Sequence, residues 1–416
     1  MSSPVWHPFT QHGLDEAIPL VEKAQGACLY TADGRRIIDG ISSWWVTTHG
    51  HCHPRIMSAI AEQTGKLDQL IFAGWTHEPA EELAHGLMDL LPDSLTRVFF
   101  SDSGSTSVEV SLKMALGYWS TRQEKRHRIV VMEHSYHGDT IGAMSVGARG
   151  VFTRAYEPLL FDVDVVPFPS PGREQLTLDM LDRACPEAAA FIVEPLVLGA
   201  GGMLMYEPRI LAEMRAICAR HETLFIADEV MTGWGRTGTL LACEQANVTP
   251  DILCLSKGLT GGALPLAVTV ASEAIFMAHY GQDRSRTFFH SSSYTANPIA
   301  CAAANANLAI WRDEPVLGRI AELAGRQSAI LEEIAGLSCV SSPRQSGTII
   351  AFDIFAERGS GYMADVGPHM REKLRACDVL LRPLGNQLYV MPPYCIEMDD
   401  LTAIKSAIIQ SLEELA

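Results

Sequence analysis

Two stretches, Leu224-Phe225-Ile226-Ala227-Asp228-Glu229 and Ile252-Leu253-Cys254-Leu255-Ser256-Lys257-Gly258, decide how this chain is read. Each is a short apolar run that stops at a charged residue. Runs of that length and composition form strands buried on both faces of a parallel sheet. In open α/β sheets, ligands gather at the carboxyl ends of such strands. A lysine ending a buried strand is costly unless it is paired or functional. Burial lowers the pKa of its amine, which suits Schiff-base chemistry. A strand-end carboxylate can hold a pyridine nitrogen protonated, making that ring an electron sink. A plain buried ion pair between Asp228 and Lys257 fits the same residues equally well.

Working outward, similar runs occur at Arg97–Asp102, Arg128–Glu133, Ala189–Glu194 and Leu266–Ala271. Amphipathic segments lie between them. Ser105–Ser120 places Val108, Leu112, Ala115 and Trp119 on one helical face, and Thr106 with Glu109 has the spacing of a capping box. Pro208–His221 is a second helix. The alternation predicts an α/β fold, a large domain around a mainly parallel sheet. After Asn297 the texture changes to helices at Pro298–Trp311, Val316–Ala335, Met363–Ala376 and Leu401–Leu415. Strands at Thr348–Ile354, Val379–Arg382 and Leu388–Met391 join them, giving a smaller α+β domain.

The 416 residues are 47% hydrophobic with a net charge of -17, ample for a packed core and wrong for disorder. An acidic surface argues against general nucleic-acid binding and against docking on anionic membranes. No apolar run reaches the roughly 18 residues of a membrane span, and Met1–His12 lacks the form of a secretory signal. Ten scattered cysteines without a CxxC pair are expected to be reduced in a cytoplasmic protein.

Three further motifs can carry chemistry. Ser103-Gly104-Ser105-Thr106 leads from a strand into a helix, where small residues and free amides suit a phosphate; an ordinary helix cap has the same composition. Glu133-His134-Ser135-Tyr136-His137-Gly138-Asp139-Thr140 follows a strand and offers an aromatic for a planar cofactor, or simply a polar loop. His49-Gly50-His51-Cys52-His53 has zinc-ligand residue types, but no second ligand pair stands at finger spacing. It is read as a loop with functional or packing histidines, and no metal is expected. The adjacent Trp44 and Trp45, placed at a strand-to-loop junction, cannot both enter one core. One should line a pocket or an interface.

Taken in order, Ser103-Gly104-Ser105, Tyr136-His137-Gly138-Asp139-Thr140, Glu194-Pro195, Ala227-Asp228-Glu229-Val230, Gly235-Arg236-Thr237-Gly238 and Lys257-Gly258-Leu259-Thr260-Gly261-Gly262 resemble the class III, pyridoxal-phosphate-dependent aminotransferases of fold type I. The resemblance spans nearly the whole chain. Trp6-His7-Pro8-Phe9-Thr10-Gln11, Ser42-Ser43-Trp44-Trp45, Gly201-Gly202-Met203, Arg382-Pro383 and Met391-Pro392-Pro393-Tyr394 are similar to the biotin-pathway branch of that family. It implies amination of 8-amino-7-oxononanoate to 7,8-diaminononanoate by a homodimer, with S-adenosylmethionine or lysine as donor. It also implies that residues 1–55 join the small domain 298–416 around a large domain 56–297.

The resemblance assigns roles residue by residue. Lys257 would bind pyridoxal phosphate covalently and move the proton. Asp228 would pair with the ring nitrogen, Tyr136 would stack on the ring, and Gly104 and Ser105 would hold the phosphate. Glu194 would position Asp228 or form the pocket wall. Arg382 would grip the acceptor carboxylate, with Trp44 and Phe9 lining its chain; Asp139 and Arg236 fall in substrate-side motifs. Two departures stand out. Phe9 occupies a position where relatives often carry Tyr, and His290-Ser291-Ser292-Ser293 replaces a His-Gly-Pro-Thr segment, so that Ser292 and Ser293 would serve a neighbouring subunit's phosphate. The rival readings are an ω-amine or diamine:pyruvate transaminase, and a cofactor-binding regulator without turnover. A dinucleotide enzyme fits poorly, since no Gly-x-Gly-x-x-Gly follows a first strand.

Overall fold

The computed structural model describes residues 3–356 and 361–414. Its centre is a seven-stranded sheet. In chain order, three N-terminal strands come first: β1 (Val21–Gln25), β2 (Cys28–Thr31) and β3 (Arg36–Asp39). The sheet itself contains β4 (Leu95–Ser101), β5 (Arg128–Met132), β6 (Asp164–Val166), β7 (Ala188–Val193), β8 (Leu224–Asp228), β9 (Ile252–Leu255) and β10 (Ala267–Ser272). They lie in the order β4-β10-β9-β8-β7-β5-β6. All pairs are parallel except those of β10, which runs against both β9 and β4. The mainly parallel sheet expected from the apolar runs is therefore present, with one reversed strand.

The pleat explains why these runs are apolar throughout. Leu224 and Ile226 face one hydrophobic cluster, together with Val108, Leu112, Ala115 and Trp119 of helix α1 (Gly104–Thr121). Phe225 and Ala227 face the other, with Leu211, Met214 and Cys218 of α2 (Pro208–Arg220). Successive side chains point to opposite faces, and both faces are covered. Trp119 is fully buried, and its indole N–H donates to the Ala189 carbonyl at 2.8 Å.

The start of α1 corrects one expectation. The helix begins one residue earlier, so Ser103 is the N-cap and Thr106 its reciprocal partner. Glu109 instead accepts from the Thr140 hydroxyl and the Gly142 amide, both at 2.8 Å.

Beyond the sheet, α3 (Pro298–Asp313) and α4 (Val316–Ala335) lead to β11 (Val340–Ser346), β12 (Ile349–Ile354), α5 (Val366–Ala376), β13 (Val379–Leu380), β14 (Gln387–Val390) and α6 (Met398–Glu413). Leu415, at the end of the last expected helix, lies outside the described residues. Strands β11, β12 and β14 form an antiparallel sheet. Strand β11 (Val-Ser-Ser-Pro-Arg-Gln-Ser) was not expected, because it is polar and carries a proline; it lies at the sheet edge, where both are tolerated. Strand β3 pairs in parallel with β13, Ile38 opposite Val379, so the N-terminal hairpin is joined to the C-terminal part of the chain.

Candidate active site

Four chain segments meet at the carboxyl ends of β8 and β9 around a cavity of about 150 Å³. Asp228 ends β8, Lys257 follows β9, Gly104 and Ser105 open α1, and Tyr136 to Gly138 follow β5. Trp45 closes one side, with the Lys257 amine 5.3 Å above its ring.

Lys257 is half-buried at the cavity wall and has φ of 45°, in the left-handed region, which turns the chain sharply out of β9. Burial lowers its pKa, against the opposing pull of Asp228 and Glu194. The salt-bridge partner of Asp228 is not Lys257 but His137, whose Nδ1 lies 2.6 Å from Asp228 Oδ2. The other carboxylate oxygen accepts from the Val230 amide at 3.1 Å. Both side chains are almost fully enclosed. Burial alone would lower the His137 pKa, but the hydrogen bond and charge of Asp228 outweigh it and raise it. His137 stands one residue after Tyr136 in the loop that follows β5. Its partner lies in a distant strand, so local sequence carries no signal for the pair.

Glu194, at the end of β7, does not touch Asp228. Its two oxygens accept from the amides of Tyr136 at 2.9 Å and Gly199 at 3.0 Å, fixing the loop that carries Tyr136. Burial pushes its pKa up to about 7, with the His137 charge opposing. Burial, then the charge of Asp139, pushes the Tyr136 phenol up. Asp139 itself lies exposed at the lip.

The helix end is shaped for an anion. The Thr106 amide is taken by the Ser103 cap, and the amides of Gly104 and Ser105 before it have no acceptor within the helix. A Cβ on Gly104 would come 2.6 Å from Val230, and one on Gly138 would come 2.0 Å from Ser105 Oγ. Only bare backbone leaves the cradle open. His137 Nε2 is buried with no partner among the described residues. An anion cradle, a carboxylate, an aromatic and a buried amine around one cavity fit a phosphorylated pyridine aldehyde.

A second group lies nearby. Phe9 packs edge-on against Trp44, with ring centroids 5.5 Å apart, and the Arg382 guanidinium sits 4.9 Å from the Trp44 ring and 5.5 Å from that of Phe9. Trp44 and Arg382 also line a larger, mostly apolar cavity of about 410 Å³. The tryptophans separate as expected: Trp45 is 4% exposed and Trp44 is 41% exposed. Their setting differs from a strand end. They sit in a tight turn, Ser42–Trp45, with left-handed φ at Ser42, Ser43 and Trp45.

Arg236 is not brought to either cavity. It is buried, beneath the Tyr394 ring, and donates to the carbonyls of Pro392, Trp45 and Thr47. Ser292 and Ser293 also lie off the cavity lining; the Ser292 hydroxyl donates to Asp102 at 2.8 Å. The histidine-rich segment works as bracing. His49 bonds Asn307 at 2.9 Å, and Asn307 donates to the carbonyls of Gly258 and Leu259, next to Lys257.

The family model for class-III aminotransferases matches residues 9–412. The chain belongs to the class-III aminotransferases. It is 47% identical, over 99% of both chains, to the adenosylmethionine-8-amino-7-oxononanoate aminotransferase of Synechococcus elongatus. Among solved structures, the enzyme of that name from Methanocaldococcus jannaschii superposes with a TM-score of 0.95 at 30% identity, covering 99% of this chain and 97% of that one. A PLP-bound amine transaminase from an uncultivated Pseudomonas species gives 0.94 at 30% identity, with both chains fully covered. This class-III aminotransferase is a pyridoxal-phosphate-dependent enzyme of fold type I, and its cavity has the residues for that cofactor.

Proposed function

We propose that this enzyme transfers an amino group to 8-amino-7-oxononanoate, giving 7,8-diaminononanoate for biotin synthesis, with S-adenosylmethionine as donor. The observation that carries the reading is the Phe9–Trp44–Arg382 group at the rim of an apolar cavity, in a chain whose full-length relatives carry the corresponding name. A flat guanidinium beside an apolar chamber matches an aliphatic chain that ends in a carboxylate. Phe9 offers no hydroxyl to that substrate, so recognition there rests on packing and on Arg382.

The bound cofactor supplies a conjugated ring that accepts the electrons of the breaking C–H bond. The residues do the rest. Gly104 and Ser105 hold the phosphate with helix-end amides. Asp228, fixed by His137, keeps the ring nitrogen protonated. Tyr136 packs on the ring, on a loop set by Glu194. Lys257 Nζ, made a readier base by burial, removes the proton from the amine-bearing carbon and returns it on the adjacent side. Donor and acceptor would occupy the site in turn, with the cofactor holding the amino group between them and Lys257 serving the proton transfer of each half-reaction, a ping-pong scheme. Arg236 acts here as a positioning residue, and Asp139 as a rim residue near Tyr136.

The wider reading is a homodimer in the cytoplasm, with Ser292 and Ser293 facing the neighbour's phosphate. Six of the ten cysteines are buried and all are free, which suits a reducing compartment, and no helix among the described residues could cross a membrane. The β3–β13 pairing supports grouping residues 1–55 with 298–416 around the large domain 56–297.

The test is a spectral titration of the purified enzyme with 7,8-diaminononanoate, the product run backwards, with Lys257→Ala as control. Bleaching of the visible cofactor band with release of 8-amino-7-oxononanoate is expected. Arg382→Ala should weaken that response while leaving cofactor affinity intact. A band that persists with this compound but bleaches with simple diamines replaces the reading by an ω-amine transaminase.

A further inference from the structure

The turn that presents both tryptophans is held by a carboxylate outside the catalytic group. Asp39, at the end of β3, is fully buried. Its Oδ1 accepts from the Ile41 amide at 3.2 Å, and its Oδ2 accepts from the Ser43 amide at 2.6 Å. The same Oδ2 faces His51 Nε2 at 2.8 Å. An ionised carboxylate can only accept, so His51 donates through Nε2. His51 is the side chain that partners the buried Asp39 charge among the described residues.

The anchor is rigid. The His51 amide donates to the Gly26 carbonyl at 2.7 Å, and the Gly26 amide returns a bond to the His51 carbonyl at 3.2 Å. The imidazole therefore reaches Asp39 from backbone pinned elsewhere. The turn it restrains needs restraint, since Ser42, Ser43 and Trp45 have φ of 53°, 60° and 67°. Such conformations persist only where surrounding structure imposes them.

The two tryptophans depend on this clasp unequally. Trp45 has anchors of its own: its indole N–H donates to the Tyr389 hydroxyl at 2.9 Å, and its carbonyl accepts from Arg236. Trp44 follows Ser43, whose amide is the one Asp39 holds most closely. Its ring is half exposed, against Phe9 and Arg382. We propose that His51 is a positioning residue for substrate selectivity, acting through Asp39 on the Ser42–Trp45 turn to fix Trp44 against Arg382. This inference rests on the acceptor reading above.

The experiment compares His51→Ala with His51→Gln, whose side-chain amide can reoccupy the Nε2 position. His51→Ala is expected to raise KM for 8-amino-7-oxononanoate about tenfold, the size of one lost hydrogen bond to a charged group. Cofactor affinity and the donor half-reaction should stay within about twofold, and His51→Gln should recover most of the loss. An unchanged KM, a parallel fall in cofactor affinity, or no recovery in His51→Gln overturns the proposal. Near-UV circular dichroism gives a readout that needs no substrate. Trp44→Phe defines the Trp44 signal in the folded enzyme, and His51→Ala should lose that signal. If wild-type enzyme does not accept the amino-oxo acid, the function reading fails while the dichroism still decides the clasp: a Trp44 signal retained in His51→Ala overturns it.

Discussion

Replacing His137 by Phe tests the centre of the site. Phe keeps the ring volume and removes the Nδ1–H that lies 2.6 Å from Asp228 Oδ2. Oδ2 then loses its donor from the protein, and the Val230 amide at 3.1 Å from Oδ1 is left to hold the carboxylate. A hydrogen bond to a buried charge is worth about 1.5–3 kcal/mol. Taking about 2 kcal/mol, Asp228 should hold the ring nitrogen less well, and proton transfer should slow roughly 30-fold. Stopped-flow measurement of a single half-reaction reads that rate without product release. The pair also links stability to pH. The folded pKa of His137 is raised, so its contribution is fully present below about 6.5 and is lost as pH climbs through the folded value. Glu194, pushed up to about 7, acts in the same direction from about 4.5 upward. Urea midpoints across this window are therefore compared on a Glu194→Gln background, where His137→Phe should flatten the remaining slope. A His137→Phe enzyme with wild-type half-reaction rates and an unchanged slope would refute the argument.

Two further outcomes follow from packing. Gly138→Ala should abolish cofactor retention, since its Cβ would fall 2.0 Å from Ser105 Oγ at a φ of 132°; absorbance after gel filtration measures this, while circular dichroism should show a folded protein. Trp119→Ala should cost about 3–5 kcal/mol in urea unfolding, because it empties a fully buried site and removes the indole donor to the Ala189 carbonyl. A loss below about 1 kcal/mol would mean that the helix α1 face carries less of the core than its contacts indicate.

The sheet was legible because strands covered on both faces must be apolar at every position. That rule identified β8 and β9 and placed Asp228 and Lys257 at their ends. It carried no information on strand direction, so the reversed β10 was invisible. The polar edge strand β11 was missed for the complementary reason: an edge has little apolar surface to cover. Within the site, residues that act on the chain next to them were readable, such as the small residues that open α1. The His137–Asp228 pair, the Asp39–His51 clasp and the change of Glu109 from cap to loop anchor depend on partners chosen by tertiary packing. Arg236 illustrates the same limit, since its motif suggested a ligand and its three carbonyl partners come from segments far apart in sequence.

Strand β4 has a consequence for how the molecule is assembled. It sits at the rim of the seven-stranded sheet and pairs there with β10, Val98 opposite Val270. The loop that opens α1 hangs from its end. During synthesis, β4 leaves the ribosome long before the strand that seats it, and waits as an unpaired apolar segment. Lys257 emerges just before β10, so anion cradle and amine are brought together in the same late docking step. Strand β3 waits longer still, for β13. Such distant pairings make folding slow, and a cofactor that bridges cradle and amine would hold that last step closed. Chains made without that cofactor should then accumulate not as an inactive enzyme but as an incompletely assembled one, open to proteases at its sheet edge.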